Sequence, residues 1–205
     1  MMITLFNHIN LNFITVPTDV LHLNEIEWRN MIKSFLAKLS SKPYGNIITI
    51  KLINFISNGY RITVSNIDPE YHQTIYPKIK YIDSRNILIV YPNVAYFTEI
   101  EVENETVKPM SYFIGFTHEL IHCLRHFEGF DYNISTEEAN TIYGTSDGVL
   151  KYNLLGKEMV ITENTIRTEW ELPKRISHRA YEIYCYNIHR TYDNKSKFSK
   201  SDFFV

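Results

Sequence analysis

Residues 117–124 read Thr117-His118-Glu119-Leu120-Ile121-His122-Cys123-Leu124. On a helix, positions four apart stand about 40° apart around the axis and one turn along it. His118 and His122 can therefore reach one cation from a single face. Glu119 lies at the edge of that face, where it can contact a water held by the cation. Two imidazole ligands beside a carboxylate are the groups needed for metal-assisted hydrolysis, the carboxylate taking the proton from water. The pattern is short, so its flanks must support a helix. Phe113, Leu120, Ile121 and Leu124 recur at helical spacing away from the histidines and predict an amphipathic helix from Met110 to His126. Pro109 stands at its start and Gly129 beyond its end. The plainer reading, an apolar helix with incidental histidines, would bury three polar groups without partners.

The rest of the chain suits that chemistry without adding to it. Its 205 residues fit a single domain spanning 1–205, and 44 % apolar residues can fill a sizeable core. A net charge of -2 gives no electrostatic case for nucleic acid or an anionic membrane surface. The two cysteines, Cys123 and Cys185, are too few for a disulfide framework, so the fold should tolerate a reducing compartment. Cys123 reads most simply as a core residue. The stretch from Met1 to His8 lacks the basic start and apolar run of a Sec-type signal peptide. No run approaches the ~20 apolar residues that span a bilayer.

Outward from the histidines, residues 23–41 carry a helical period closed by Ser40-Ser41-Lys42-Pro43. The β-branched runs 47–53 and 60–64, separated by Ser57-Asn58-Gly59, predict a pair of strands. Asn86 to Tyr91 predicts a third, ended by Pro92, which reads equally as a plain core strand or as the sheet edge for binding a peptide as an added strand. Residues 68–80 read as irregular. Helices are expected at 136–143 and 163–171, the latter closed by Pro173, and a tyrosine-rich helix at 179–191. Residues 194–205 are expected to be a frayed tail. Strands followed by a metal-bearing helix give an α+β class: a small twisted sheet packed on the active-site helix.

A catalytic zinc takes three protein ligands and leaves one position for water. His126 continues the i+4 series but lies about 12 Å along the axis from His118. Glu128 stands where metzincins place a third histidine, yet those proteases need a glycine at the position of Arg125. Glu137 and Glu138 remain, with Ser135 and Thr136 as helix caps before them. One would bind the ion and the other orient a histidine, since ligating imidazoles donate their second N–H to a carboxylate or carbonyl. Ordinary acidic residues at a helix N-terminus are the competing reading.

Three motifs now stand in order: His118-Glu119-Leu120-Ile121-His122; Glu137-Glu138-x-x-Thr141-x-x-Gly144; and Glu163-Asn164-x-x-Arg167 leading to Leu172-Pro173-x-Arg175. Together they resemble the NleD-type effector metallopeptidases, zincin-like zinc proteases that bacteria inject into host cells by type III secretion. The first two blocks are also similar to clostridial neurotoxin light chains. The resemblance implies Glu138 as the third zinc ligand and Glu119 as general base. It implies an oxyanion stabilised by Arg175 and, three residues on, a tyrosine. Here that place holds His178, with Tyr181 one turn further, and the two are the alternatives for the role. Arg167 is a candidate partner for Glu137. Taken alone, each of these residues reads as a surface ion pair.

By the same resemblance the chain is a secreted zinc endopeptidase acting in the host cytoplasm. Its substrate is a host signalling protein such as a MAP kinase, with neither nucleic acid nor membrane as partner and a monomer as the default assembly. Two other classes fit: a catalytically impaired zinc-fold binding protein, suggested by the tyrosine-to-histidine departure, and a metallohydrolase acting on a non-peptide amide or ester.

Overall fold

Asn24 and Glu27 close a reciprocal capping box, each accepting a backbone N–H from the other, and so begin helix α1 (Glu25–Ser40). The computed structural model of the chain describes residues 5–15, 23–70, 77–92, 97–130, 134–144, 149–154 and 156–183. The expectations for Cys185 and the tail 194–205 lie outside them. Trp28, Met31, Ile32, Phe35, Leu36 and Leu39 form the buried stripe of α1. Helix α2 (Pro43–Ser57) follows at once, and here the sequence expectation fails: 47–53, read as a strand, is the middle of a helix. A β-branched run favours a strand locally. Pro43, however, is pre-set for a first helical turn, and buried Gly45, Ile48, Thr49 and Leu52 recur at helical spacing. Added to Gly45, a Cβ would stand 1.9 Å from the Leu39 carbonyl oxygen. The two helices therefore meet there backbone to backbone, and packing overrides propensity.

Strands β1 (Asn10–Asn12), β2 (Arg61–Ser65), β3 (Lys78–Tyr81) and β4 (Asn86–Val90) form a sheet in the order β1-β2-β4-β3. The first two and β4 run parallel, and β3 pairs antiparallel with β4. Strands are expected at β2 and β4, but β4 is not the edge. It is flanked on both sides, as its near-continuous apolar run Ile87-Leu88-Ile89-Val90 requires. The outer strands are β1 and β3, and most of β3 lies within the stretch expected to be irregular.

A second sheet was not foreseen. β5 (Phe97–Val102) lies between β6 (Glu105–Pro109) and β9 (Arg175–Ile183), all antiparallel. β7 (Leu150–Leu154) and β8 (Lys157–Ile161) form a separate hairpin. β9 corrects the helix expected from 179: Ala180 and Tyr181 pair with Ile100 and Glu99 of β5, so a ready strand partner decides their conformation.

Helix α3 (Tyr112–Phe127) carries the histidines. Pro109 ends β6 rather than starting α3, whose N-cap is Ser111. At the other end Gly129 adopts φ +80°, and its N–H and that of Phe130 donate to the carbonyls of His126 and Arg125. This left-handed closure favours glycine. Every residue from Phe113 to Arg125 is buried, so the polar side of this amphipathic helix faces protein rather than solvent over that span. It packs against α1, α2, β3, α4 (Ile134–Ile142) and α5 (Glu163–Glu169). Phe35 of α1 is the hub, with ring centroids 6.1–6.3 Å from those of Phe116, Phe113 and Tyr91. The class is α+β. Among the described residues no helix is long and apolar enough to cross a membrane.

Candidate metal centre

A helix buried on all sides must satisfy its polar side chains internally. His118 and His122 are 6 % and 3 % exposed, and each gives its Nδ1 to a carboxylate from another helix. His118 Nδ1 lies 2.9 Å from Glu163 Oε2 on α5, and His122 Nδ1 lies 2.9 Å from Glu137 Oε1 on α4. With Nδ1–H donated, each ring in its neutral form presents the lone pair of its Nε2. The two Nε2 atoms face each other at 2.9 Å.

Glu138 closes the triangle. Its Oε2 lies 3.3 Å from His118 Nε2 and its Oε1 3.2 Å from His122 Nε2. The ligand atoms of His118, His122 and Glu138 all lie within 4.8 Å of one another. Around a tetrahedral zinc with bonds of about 2.0–2.1 Å, neighbouring ligand atoms stand roughly 3.3 Å apart. Three acceptors converge at nearly that spacing, so the donor set fits a small divalent cation. The adjacent glutamates divide the work on one ring: Glu137 holds Nδ1 of His122 and Glu138 faces its Nε2. A helical step of about 100° allows this. Thr141, one turn after Glu137 and fully buried, places its Oγ1 3.4 Å from the same Nδ1.

The electrostatics ask for positive charge. Burial disfavours the charged form of both imidazoles, yet Glu138 and Glu163 raise His118 to about 10, and Glu137 and Glu138 raise His122. Burial works against the Glu138 carboxylate too, but its contacts with the two histidines hold it well below the usual carboxylate range. Glu119 is 9 % exposed, and burial raises its carboxyl against the pull of both histidines. It accepts no hydrogen bond from any described residue, which leaves its oxygens available to a proton donor.

Behind His118 stands an ion-pair cluster. Glu163 is 1 % exposed and capped into α5 by Thr162 and Thr165. Its Oε1 accepts from Arg167 Nε at 2.6 Å and its Oε2 from Arg175 Nη1 at 3.1 Å. Burial opposes its charge, but Arg167, with His118 and Arg175, depresses its pKa strongly. Arg175 is delivered by Asn164, whose side chain accepts from the Arg175 N–H at 2.8 Å and donates to the Arg175 carbonyl at 2.9 Å. One amide thus zips the start of β9 to α5.

Arg167, a candidate partner for Glu137, pairs with Glu163 instead because both lie on α5, four residues apart. Arg167 and Arg175 are 4 % and 5 % exposed, so the reading as surface ion pairs is also corrected. Besides Glu163, Arg175 donates to the Ser177 carbonyl. His178 and Tyr181 lie in β9, but their side chains are outside the described residues. His126 and Glu128 are not among the converging ligands: His126 meets the Asp83 carbonyl, and Glu128 accepts from Tyr152.

Sequence reasoning missed four contributors: Glu163 as the partner of His118, Asn164, Thr141, and Tyr81 of β3, whose hydroxyl donates to Glu137 Oε1 at 2.8 Å. The first three stood inside quoted motifs without an assigned contact, whereas nothing in the sequence marked Tyr81. No protein-family model matches this chain, and neither a curated protein nor a solved structure matches it.

Proposed function

We propose that this chain is a zinc-dependent endopeptidase with a zincin-like active site. The observation that carries the reading is the convergence of His118 Nε2, His122 Nε2 and the Glu138 carboxylate, one oxygen facing each ring, within 4.8 Å of one another and next to buried Glu119. Zinc held there supplies Lewis acidity that brings the pKa of water toward ~7. Glu119 accepts a proton from the attacking water and returns it to the leaving amine. Glu163 and Glu137 fix the imidazole orientations so that both Nε2 atoms stay aimed at one point. Arg175, with His178 or Tyr181 of β9, is the proposed stabiliser of the carbonyl oxygen as it gains charge.

The motif resemblance extends the proposal to a secreted effector, delivered by type III secretion and acting in a host cytoplasm on a signalling protein such as a MAP kinase. Metal analysis of the purified protein should find one zinc, lost in His122→Ala. Zinc-loaded protein incubated with host-cell lysate should generate new protein termini. Glu119→Gln should keep zinc and fold while those termini vanish. Retained cleavage in Glu119→Gln overturns the base assignment. Bound zinc without new termini favours a binding protein or a hydrolase of non-peptide bonds.

A further inference from the structure

The two histidines are supported by unlike means. Glu163, behind His118, is clamped between two guanidinium groups. Glu137, behind His122, receives a phenol: its Oε1 accepts both His122 Nδ1 at 2.9 Å and Tyr81 Oη at 2.8 Å. Tyr81 belongs to β3, one of the two outer strands of the four-stranded sheet, rather than to the helices that carry the ligands. Its ring lies against His126, the centroids 4.5 Å apart. His126 in turn donates from Nε2 to the Asp83 carbonyl, 3.0 Å away in the turn between β3 and β4. His126 is one helical turn beyond His122. One end of β3 is therefore fastened to α3 through His126 and to the metal centre through Tyr81, Glu137 and His122.

We propose that Tyr81 is a positioning residue for His122 and that, through it, strand β3 and metal occupancy are energetically coupled. The proposal rests on the zinc reading of the site. Sharing one carboxylate oxygen between a phenol and an imidazole N–H fixes the rotation of Glu137 and hence the ring of His122, which sets the aim of Nε2. Coupling of this kind is reciprocal. If β3 steadies the ligand, an ion on the ligand steadies β3. Such outer partners of ligating histidines govern metal affinity by roughly 10–100-fold. Tyr81 acts one bond further out, so its removal belongs at the low end of that range.

The test uses the full chain. Zinc affinity is measured by competition with a chromophoric chelator for wild type, Tyr81→Phe, Glu137→Gln and the double variant. Cobalt(II) spectra and metal-free melting curves are recorded alongside. Tyr81→Phe should melt near wild type without metal, bind zinc roughly tenfold more weakly and shift the cobalt bands. It should have little further effect once Glu137 is Gln, because the two act in series. Zinc should slow amide exchange at residues 79–81 in wild type but not in Tyr81→Phe. Unchanged affinity in Tyr81→Phe, or its full effect persisting beside Glu137→Gln, overturns the coupling. Should the variant fail to fold, wild-type exchange decides: protection of β3 by zinc supports the proposal and unaltered exchange sinks it. A wild type that takes up no zinc refutes the proposed function itself, which separates that failure from failure of the coupling alone.

Discussion

Replacing Glu163 with Gln removes one negative charge from a site where three donors converge on two oxygens. Oε1 accepts from Arg167 Nε, and Oε2 accepts from both His118 Nδ1 and Arg175 Nη1. A glutamine has one acceptor oxygen, so its NH2 group must face at least one of those donors. The two guanidinium groups, 4 % and 5 % exposed, lose their shared counter-charge. Breaking a buried ion pair by deleting one partner costs about 3–5 kcal/mol. For a chain of this size that lowers the melting temperature by roughly 6–20 °C, a large part of the ~5–15 kcal/mol available to a typical domain. Zinc affinity should fall in parallel by about 10–100-fold as His118 loses its orienting carboxylate. Thermal and urea denaturation of metal-free protein, followed by zinc competition, measure the two effects separately. Glu138→Gln is the informative control. Among the described residues its side chain, 36 % exposed, is ion-paired to the two histidines alone, which can shed a proton as guanidinium groups cannot, so the change should abolish zinc binding with a smaller stability loss than Glu163→Gln. If metal-free Glu163→Gln melts with wild type, the buried-charge reasoning is wrong.

Two further perturbations address the scaffold. Asp68 is fully buried; burial would raise its carboxyl, but hydrogen bonds from Lys78, Lys80 and the Glu70 amide prevail and hold it at about 2, against 3.8 unperturbed. Because the folded-state value is the depressed one, this group contributes about 2 kcal/mol above pH ~4, and the contribution is lost as the pH falls through ~2. An NMR titration of the carboxyl placing its midpoint near 4 would refute it. Gly45→Ala should destabilise by about 1–3 kcal/mol or more, because the new methyl meets the Leu39 carbonyl oxygen and α2 must move off α1. A urea midpoint equal to wild type would show that the helices part without strain.

What could be read from the sequence depended on whether the deciding interaction was local. The histidine pair sits four residues apart on one helix, so spacing alone placed both rings on one face, and the closing turn at Gly129 was equally local. Glu137 and Glu138 were narrowed to a pair but not separated, because adjacent glutamates differ only in which ring nitrogen each meets, and that depends on how α4 lies across α3. Residues 47–53 went wrong for the opposite reason. Their β-branched side chains state a strand preference, whereas the decisive fact is a backbone approach between Gly45 and Leu39 that no single-segment pattern encodes. β5 and β9 pair between positions some eighty residues apart, such as Thr98 with Glu182. The hidden part of the metal centre has the same origin. Glu163 lies 45 residues from His118, and Tyr81 lies 56 from Glu137. Each became visible as a partner only once the fold had removed water from around the histidines. A buried imidazole must donate its second N–H to something. The motif therefore required an acceptor behind each ring, while packing alone chose Glu163 and Glu137 to fill the role.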